Sequence, residues 1–120
     1  MGRPRSLRLV AYLEHITEAA ERIRLYTACL SEDEFLASPM TQDAVIRNLE
    51  IIGEACRNVL RSHADFAAAH AEIPWRAPYE MRNALARGYF NVDLATTWQT
   101  IQTDVPAFAA QIAALLPPPR

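Results

Sequence analysis

Apolar residues recur at alternating spacings of four and three along three long segments of the chain, and this pattern constrains the fold more than any other feature. Residues three and four apart share one face of an α-helix, so each segment predicts a helix with a single apolar face. The three faces comprise Leu9, Leu13, Ile16, Ala20, Ile23, Thr27 and Leu30; Val45, Leu49, Ile52, Cys56 and Val59; and Leu94, Trp98, Ile101, Val105, Phe108, Ile112 and Leu115. Almost no segment alternates as a β-strand would, so we predict an all-α fold.

Capping signals mark where several of these helices begin. Ser31 and Glu34 have capping-box spacing, which predicts a brief helical turn after a first helix that spans about residues 6 to 30. Thr41 is placed to cap the second long helix, and Asp93 is placed to cap the last one. Within the last helix, Pro106 predicts a kink because proline cannot donate a backbone hydrogen bond.

Two further helices are predicted between the second long helix and the last. The Ala-rich stretch "ADFAAAHAE" predicts a short helix, and the prolines of "IPWRAP" end it. A third core helix begins near Pro78, because proline suits a first helical turn, and ends at Gly88, which permits a C-cap. The predicted architecture is an antiparallel four-helix bundle with short additional helices.

The length and composition limit the domain organisation. A chain of 120 residues can hold one hydrophobic core but not two, so residues 1–120 are predicted to form a single helical domain. The hydrophobic content of 51% with 22% charged residues is that of a soluble globular protein. No uncharged apolar run approaches the roughly 18 residues that span a bilayer, and the N-terminus lacks the apolar region of a signal peptide. We expect a cytoplasmic protein with no membrane partner.

Neither the cysteines nor the histidines have the spacing of a metal site. Cys29 and Cys56 fall at apolar helical positions, which predicts two buried thiols rather than a disulfide or zinc site. His63 and His70 lie about 10 Å apart along a helix, too far to share one metal ion, and His15 stands alone. No Glu-x-x-His pair, Gly-rich phosphate loop or nucleophile elbow occurs. We expect no metal and no cofactor.

The net charge of -2 argues against a broadly basic surface for nucleic acid, so any nucleic-acid contact must be local. A charged stripe within residues 47–58, "RNLEIIGEACRN", lies opposite the apolar face of the second long helix and comprises Arg47, Glu50, Glu54 and either Arg57 or Asn58. The simplest interpretation is a solvated face with weak ion pairs. Gly53 favours a different one, because a mid-helix glycine costs about 1 kcal/mol relative to alanine and indicates the close approach of another helix. The stripe could therefore face protein.

The stretch "YEMRNALARGYFNVD", residues 79–93, carries a second constellation of Arg82, Asn83, Arg87 and Tyr89. Together with "RNLEIIGEA" and "IPW", in this order and spacing, it resembles the HepT-like members of the HEPN superfamily, the toxin halves of HepT/MNT toxin–antitoxin pairs. The similarity covers nearly the whole chain. It implies a HEPN-like helical bundle that forms a homodimer or larger even oligomer. It also implies metal-independent cleavage of RNA by an Arg-x4-6-His motif from each subunit.

The resemblance further implies a partner and a role for each motif residue. The partner is an MNT-type nucleotidyltransferase antitoxin, which in some pairs adds AMP to the motif's tyrosine. Arg82 matches the motif arginine that orients the scissile phosphate, Asn83 matches the polar residue that helps to position it, and Tyr89 matches the tyrosine that contacts substrate or accepts the nucleotide. Arg47, Glu50 and Glu54 are candidate supporting residues.

Arg87 departs from the family pattern, because it occupies the position of the histidine in "RNxLxHGY". Proton transfer to and from RNA oxygens suits a group that titrates near neutrality. Arginine stays protonated, so Arg87 can bind phosphate or stabilise charge but is a poor acid–base catalyst. Arg87 also has a purely local interpretation, since a cation in the last turn of a helix interacts favourably with the helix dipole.

The sequence therefore predicts a HepT-like toxin fold whose ribonuclease site is impaired by Arg87. A non-catalytic HEPN module that binds RNA, nucleotide or a nucleotidyltransferase remains the alternative, and a helical interaction protein with no site is the third. For Tyr89 the alternative is that its ring only packs in the loop.

Overall fold

The computed structural model describes residues 4–86 and 93–117, and these ranges contain helices and no β-strand. The prediction of an all-α fold is confirmed. The helices, in chain order, are α1 (Pro4–Thr27), α2 (Glu32–Leu36), α3 (Pro39–Ser62), α4 (Ala64–Ala69), α5 (Arg76–Ala86), α6 (Leu94–Gln99), a π-helical segment (Thr100–Asp104) and α7 (Val105–Ala113). None of these helices is both long and apolar enough to span a bilayer.

Helices α1 and α3 pack antiparallel along their length. Near the end of α1, Arg22 Nη1 lies 3.5 Å from Asn48 Oδ1 in the first half of α3. In the first half of α1, the Tyr12 ring meets the His63 ring, just after α3, in a T-shaped arrangement with ring centroids 6.0 Å apart. The chain turns between them through α2, whose few residues let α3 run back beside α1.

The predicted apolar faces of the three long segments form the core. Side chains that the spacing assigned to those faces are buried or half-buried, and the buried ones other than Thr27 belong to a single hydrophobic cluster. Aromatic pairs connect the earlier elements to the last long segment. The Phe35 ring of α2 packs at a tilt on Trp98 of α6 with centroids 5.3 Å apart, and Trp75, in the turn before α5, meets Phe108 of α7 edge-on at 6.4 Å. Each such pair adds about 0.5–1.5 kcal/mol to the burial of its rings.

Two of the predicted caps are confirmed and one is wrong. Ser31 and Glu34 form a complete capping box, with Ser31 N donating to Glu34 Oε1 at 2.8 Å and Glu34 N donating to Ser31 Oγ at 3.2 Å. Asp93 caps α6 by accepting from Thr96 N at 3.1 Å, and its hydrogen bonds with Thr96 lower the pKa of its carboxyl. Thr41 does not cap α3. The cap is Ser38, because Pro39 takes the first helical position and Thr41 N donates to Ser38 Oγ at 3.4 Å.

The end of α1 corrects a second prediction. The helix ends at Thr27 rather than near residue 30, and the chain turns through the next residues. Cys29 lies in that turn and is exposed, so the prediction of a buried thiol is wrong for Cys29 and confirmed for Cys56. The apolar spacing continues past Thr27 only because Leu30 packs from the turn, half-buried, without being helical.

The last helix changes its hydrogen-bond pattern in the middle. Val105 N donates to Thr100 O, five residues back, within the π-helical segment that precedes Pro106. Proline has no N–H and its ring clashes with the carbonyl four residues earlier in a regular α-helix. The disturbance predicted at Pro106 thus takes the form of a π turn immediately before it.

Candidate functional site

Helix α5 crosses α3 at Gly53, the glycine that the sequence marked as a point of close approach. A Cβ atom at Gly53 would lie 2.6 Å from the carbonyl oxygen of Pro78 and would clash with Cβ of Arg82. Helix α5 begins at Arg76, two residues before the predicted start at Pro78. Because no side chain separates the two backbones at this point, Arg82 lies directly against the polar face of α3.

The two helices run antiparallel at the crossing. Arg82 lies beside Gly53 and Glu54, whereas Tyr79, one turn earlier on α5, lies beside Arg57, one turn later on α3. Polar residues of α5 therefore meet the charged stripe of α3 in register. The stripe faces protein at this point rather than water alone.

Arg82 is held by two neighbours. Its Nη2 atom forms an ion pair with Glu54 Oε1 at 3.3 Å, and its Nη1 atom donates to Asn83 Oδ1 at 3.2 Å. Oε1 of Glu54 is buried, so the carboxylate charge at that atom faces the guanidinium instead of solvent. A guanidinium carries five N–H groups, so donors remain for an anion after these two contacts. About a third of the Arg82 side chain, 34%, is exposed.

Tyr79 and Arg57 extend the cluster. Arg57 Nη1 donates to the second oxygen of Glu54, Oε2, at 3.4 Å. The Asn83 side chain is the main cause of a lowered pKa of the Tyr79 phenol; burial opposes this effect, and the nearby Arg57 and Arg76 lower the pKa by smaller amounts. The Asn83 amide and the Arg57 guanidinium therefore lie near enough to the phenol to favour its charged form.

An open cleft of about 310 Å³ lies between Arg82 of α5 and the residues of α3 that line the rest of the cleft. The cleft is lined by Arg47, Glu50, Ile51, Glu54 and Arg82. The structure thus brings the three stripe residues together with Arg82, and Arg47 is exposed at the rim. With Arg57 next to Glu54, the arginines of this region outnumber the glutamates. The arrangement suits an anion that guanidinium groups can bind through paired hydrogen bonds, such as a phosphate.

The two remaining motif residues, Arg87 and Tyr89, lie outside the described residues. The described part of α5 ends at Ala86, directly before Arg87. The roles predicted for Arg87 and Tyr89 therefore stay predictions.

The sequence interpretation missed Tyr79 and left Arg57 undecided within the stripe. Tyr79 and Asn83 are four residues apart on one helix, a spacing that brings side chains together and could have drawn attention to Tyr79. Arg57 stands three residues after Glu54, which is also a contact spacing. The side chains of the two helices meet because α5 crosses α3 at this point. Spacing within one helix cannot predict where two helices cross.

Within residues 4–86 and 93–117, no three His, Cys, Asp or Glu side chains come together as a metal site would require. His63 is buried against Tyr12, His70 packs on the Phe66 ring at a centroid distance of 4.6 Å, and His15 is exposed. The cluster at the α3–α5 crossing is therefore the strongest candidate site in the described part of the chain.

The fold and this cluster define a small α-helical protein with a candidate anion site, centred on Arg82, at a helix crossing. The chain belongs to the HepT-like ribonuclease family, since the family model described as "Ribonuclease HepT-like" matches residues 16–115. No solved structure matches the chain.

Several relatives support the same assignment. A protein of Thermococcus cleftensis named "Probable ribonuclease HepT" is 43% identical over 104 residues, which cover 87% of this chain and 92% of the relative. A "Putative RNase" of Caldanaerobacter subterraneus subsp. tengcongensis is 33% identical over 105 residues, 88% of this chain and 91% of the relative.

One relative is longer than this chain, and its name gives a second activity besides a ribonuclease. The "Gamma-glutamylcyclotransferase and putative RNase" of Methanocaldococcus jannaschii is 43% identical over 105 residues, 88% of this chain. The match covers 46% of that relative, so the chain spans about half of its length.

Proposed function

We propose that this chain is the toxin half of a toxin–antitoxin pair, with a HepT-type ribonuclease site that Arg87 impairs. The observation that carries the proposal is the fixed position of Arg82, which Glu54 and Asn83 hold beside an open cleft at the α3–α5 crossing. Membership of the HepT-like ribonuclease family supports RNA as the substrate.

The motif residues have different roles in the proposed cleavage of RNA. Cleavage of RNA without a metal ion requires a proton to leave the 2'-hydroxyl and another to reach the departing oxygen. Arg82 binds the scissile phosphate through the N–H groups that its neighbours leave available, and Asn83 keeps the guanidinium in place. Arg87 supplies positive charge near the phosphate but cannot exchange a proton near neutral pH, so binding survives and cleavage is slow.

The same proposal includes two partners. A second copy of the chain completes the cleft in a homodimer or larger even assembly. An MNT-type nucleotidyltransferase acts as antitoxin and transfers AMP to Tyr89, which follows Gly88 in a stretch rich in arginine. Intact-mass analysis after incubation with that enzyme and ATP tests this part: we expect an AMP-sized increase in mass that Tyr89→Phe abolishes. No increase, or one that Tyr89→Phe leaves unchanged, would contradict it.

An RNA cleavage assay in the presence of EDTA tests the ribonuclease site. The unmodified chain should bind RNA and cleave it slowly or not at all, and Arg87→His should raise the rate by roughly 10²- to 10⁴-fold, the usual contribution of a general acid–base group. The pH profile of Arg87→His should report a group near the ordinary histidine pKa of about 6.5, displaced by neighbouring arginines. Adding Arg82→Ala should abolish the gain.

The matched control is Arg61→His, which places a histidine at an exposed arginine of α3 away from the cleft. This variant should cleave no faster than the unmodified chain. If the unmodified chain cleaves RNA as fast as Arg87→His, Arg87 is no defect and the assignment of the motif is wrong.

A non-catalytic HEPN module that binds RNA, nucleotide or a nucleotidyltransferase is the alternative, and the arginine at position 87 is the observation that favours it. In that case Arg87→His remains inactive in cleavage, while RNA binding still depends on Arg82. Expression without a partner provides a cellular measure: growth arrest by Arg87→His but not by the unmodified chain supports the impaired toxin.

A further inference from the structure

Five side chains at the α3–α5 crossing form a closed ring of interactions. Glu54 contacts Arg82 through Oε1 and Arg57 through Oε2, so its two oxygens serve different arginines. Arg82 donates to the Asn83 amide oxygen, Asn83 interacts with the Tyr79 phenol, and Tyr79 interacts with Arg57. Each member therefore has a partner on both sides, and the ring joins the two helices where Gly53 lets them approach.

We propose that Tyr79 and Arg57 are positioning residues, which fix the direction in which the Arg82 guanidinium faces the cleft. Neither residue is required to touch the substrate. The effect on RNA cleavage rests on the proposed function, whereas the effect on Arg82 itself does not.

Tyr79 acts through the amide of Asn83. That amide has an acceptor end and a donor end, and Arg82 needs the acceptor end because a guanidinium only donates. Tyr79 lies one helical turn before Asn83 on α5, within reach of the donor end, and the lowered pKa of its phenol agrees with an N–H group of that amide near the phenol oxygen. A flipped amide would place N–H groups against the guanidinium. Tyr79 thus selects the amide orientation that supports Arg82.

Arg57 acts through the carboxylate of Glu54. A carboxylate with both oxygens available prefers to bind a guanidinium through two parallel hydrogen bonds. Arg57 engages Oε2 at 3.4 Å, so only Oε1 contacts Arg82. Without Arg57, both oxygens could turn to Arg82 and occupy the N–H groups that a phosphate requires. Arg57 therefore keeps Glu54 from neutralising the binding edge of Arg82.

The orientation of Arg82 can be measured without RNA. In nitrogen-15 NMR spectra of the full chain, the Nε–Hε signal of Arg82, assigned by its loss in Arg82→Ala, should broaden or shift in Tyr79→Phe. Phenylalanine keeps the ring and removes only the hydroxyl. The matched control is Tyr26→Phe, since Tyr26 is 44% exposed and remote in sequence from the crossing. This control should leave the Arg82 signal unchanged.

Arg57 provides a second and independent pair of variants. Arg57→Gln removes the contact with Glu54 and should move the Arg82 signal, whereas Arg57→Lys keeps the charge beside Glu54 and should restore it in part. Arg61→Gln removes an exposed charge from the same helix and serves as the control. These variants decide the proposal even if Tyr79→Phe does not fold.

Cleavage by the Arg87→His form gives the functional measurement. Tyr79→Phe in this form should lower kcat by about tenfold, the order expected when one supporting hydrogen bond is lost, with little change in KM or in the midpoint of the pH profile. A rise in KM alone would instead make Tyr79 a substrate contact and would overturn the positioning role.

The two possible failures are distinguishable. If Arg87→His does not cleave RNA, the proposed ribonuclease function fails, while the NMR comparison still decides the role of the ring. If the Arg82 signal responds to Tyr79→Phe and Arg57→Gln no more than to Tyr26→Phe and Arg61→Gln, the ring does not position Arg82 and the inference is wrong.

Discussion

At the scale of single residues, Cys29 and Cys56 show how position sets the chemistry of one side-chain type. Burial raises the pKa of the Cys56 thiol to about 12, so its reactive thiolate is scarce near neutral pH. Cys29 lies exposed in the turn after α1. Only one of the two thiols is therefore accessible to reagents in the folded protein.

We predict that a thiol-reactive aromatic disulfide modifies one cysteine rapidly in the native protein and both after unfolding. Absorbance of the released aromatic thiol measures the number of reacted groups, and Cys29→Ser should remove the rapid phase. Two rapid phases in the native protein, or a rapid phase that survives in Cys29→Ser, would show that Cys56 is not shielded.

Much of the candidate site could be predicted residue by residue, but not its internal connections. Arg82, Asn83 and Glu54 stand within recognisable motifs, and the structure places them in contact. Tyr79 and Arg57 have only ordinary contact spacings on their own helices, to Asn83 and to Glu54, and such spacings do not single them out. Their importance arises from contacts between α3 and α5, which depend on the crossing geometry.

At the scale of helices, Gly53 decides how closely α5 can approach α3. Alanine at this position would raise helix propensity by about 1 kcal/mol. Its Cβ would meet the backbone carbonyl of Pro78, which cannot rotate away as a flexible side chain could, and also Cβ of Arg82. Inserting an atom into a tight contact costs about 1–3 kcal/mol, so the steric cost should prevail.

We predict that Gly53→Ala lowers the free energy of unfolding by up to about 2 kcal/mol, the net of those two effects. Chemical denaturation followed by circular dichroism measures the change. Asp43→Ala raises helix propensity at an exposed position of α3 and should be neutral or stabilising. A Gly53→Ala variant that is more stable than the unmodified chain would mean that α5 shifts easily, and the position of Arg82 would then not be fixed by this crossing.

The helices themselves were largely predictable, because the apolar spacing reports which face must be buried. The residues at which the helices begin and end were less predictable. Both Ser38 and Thr41 can cap a helix, and the structure uses Ser38 because Pro39 occupies the first turn. The spacing also extended through Leu30, although α1 ends at Thr27, since a residue in a turn can pack on the core without being helical.

At the scale of the whole molecule, we predict a homodimer or a larger even assembly. Large apolar side chains remain exposed on the described surface, with Leu7 at 73%, Leu25 at 59% and Met40 at 81%. The apolar spacing of the first and last long segments favours further packing, and closed symmetric assemblies are the commonest oligomers. Light scattering at micromolar concentration measures the mass. A monomer that persists on concentration would remove both the dimer and the shared cleft.

The π-helical segment Thr100–Asp104 has a consequence for how the length of this chain can vary. A π turn holds one residue more than the α turn that it replaces, so loss of one residue within the segment would leave Phe108 and Ile112 facing the core. Loss of a residue between this segment and Phe108 would instead rotate both side chains by about 100° around the helix axis and expose them. Without the π turn, however, Pro106 would lie inside a regular α-helix at a cost of about 3 kcal/mol. Homologous chains one residue shorter here should therefore also lack this proline, which sequence comparison can check.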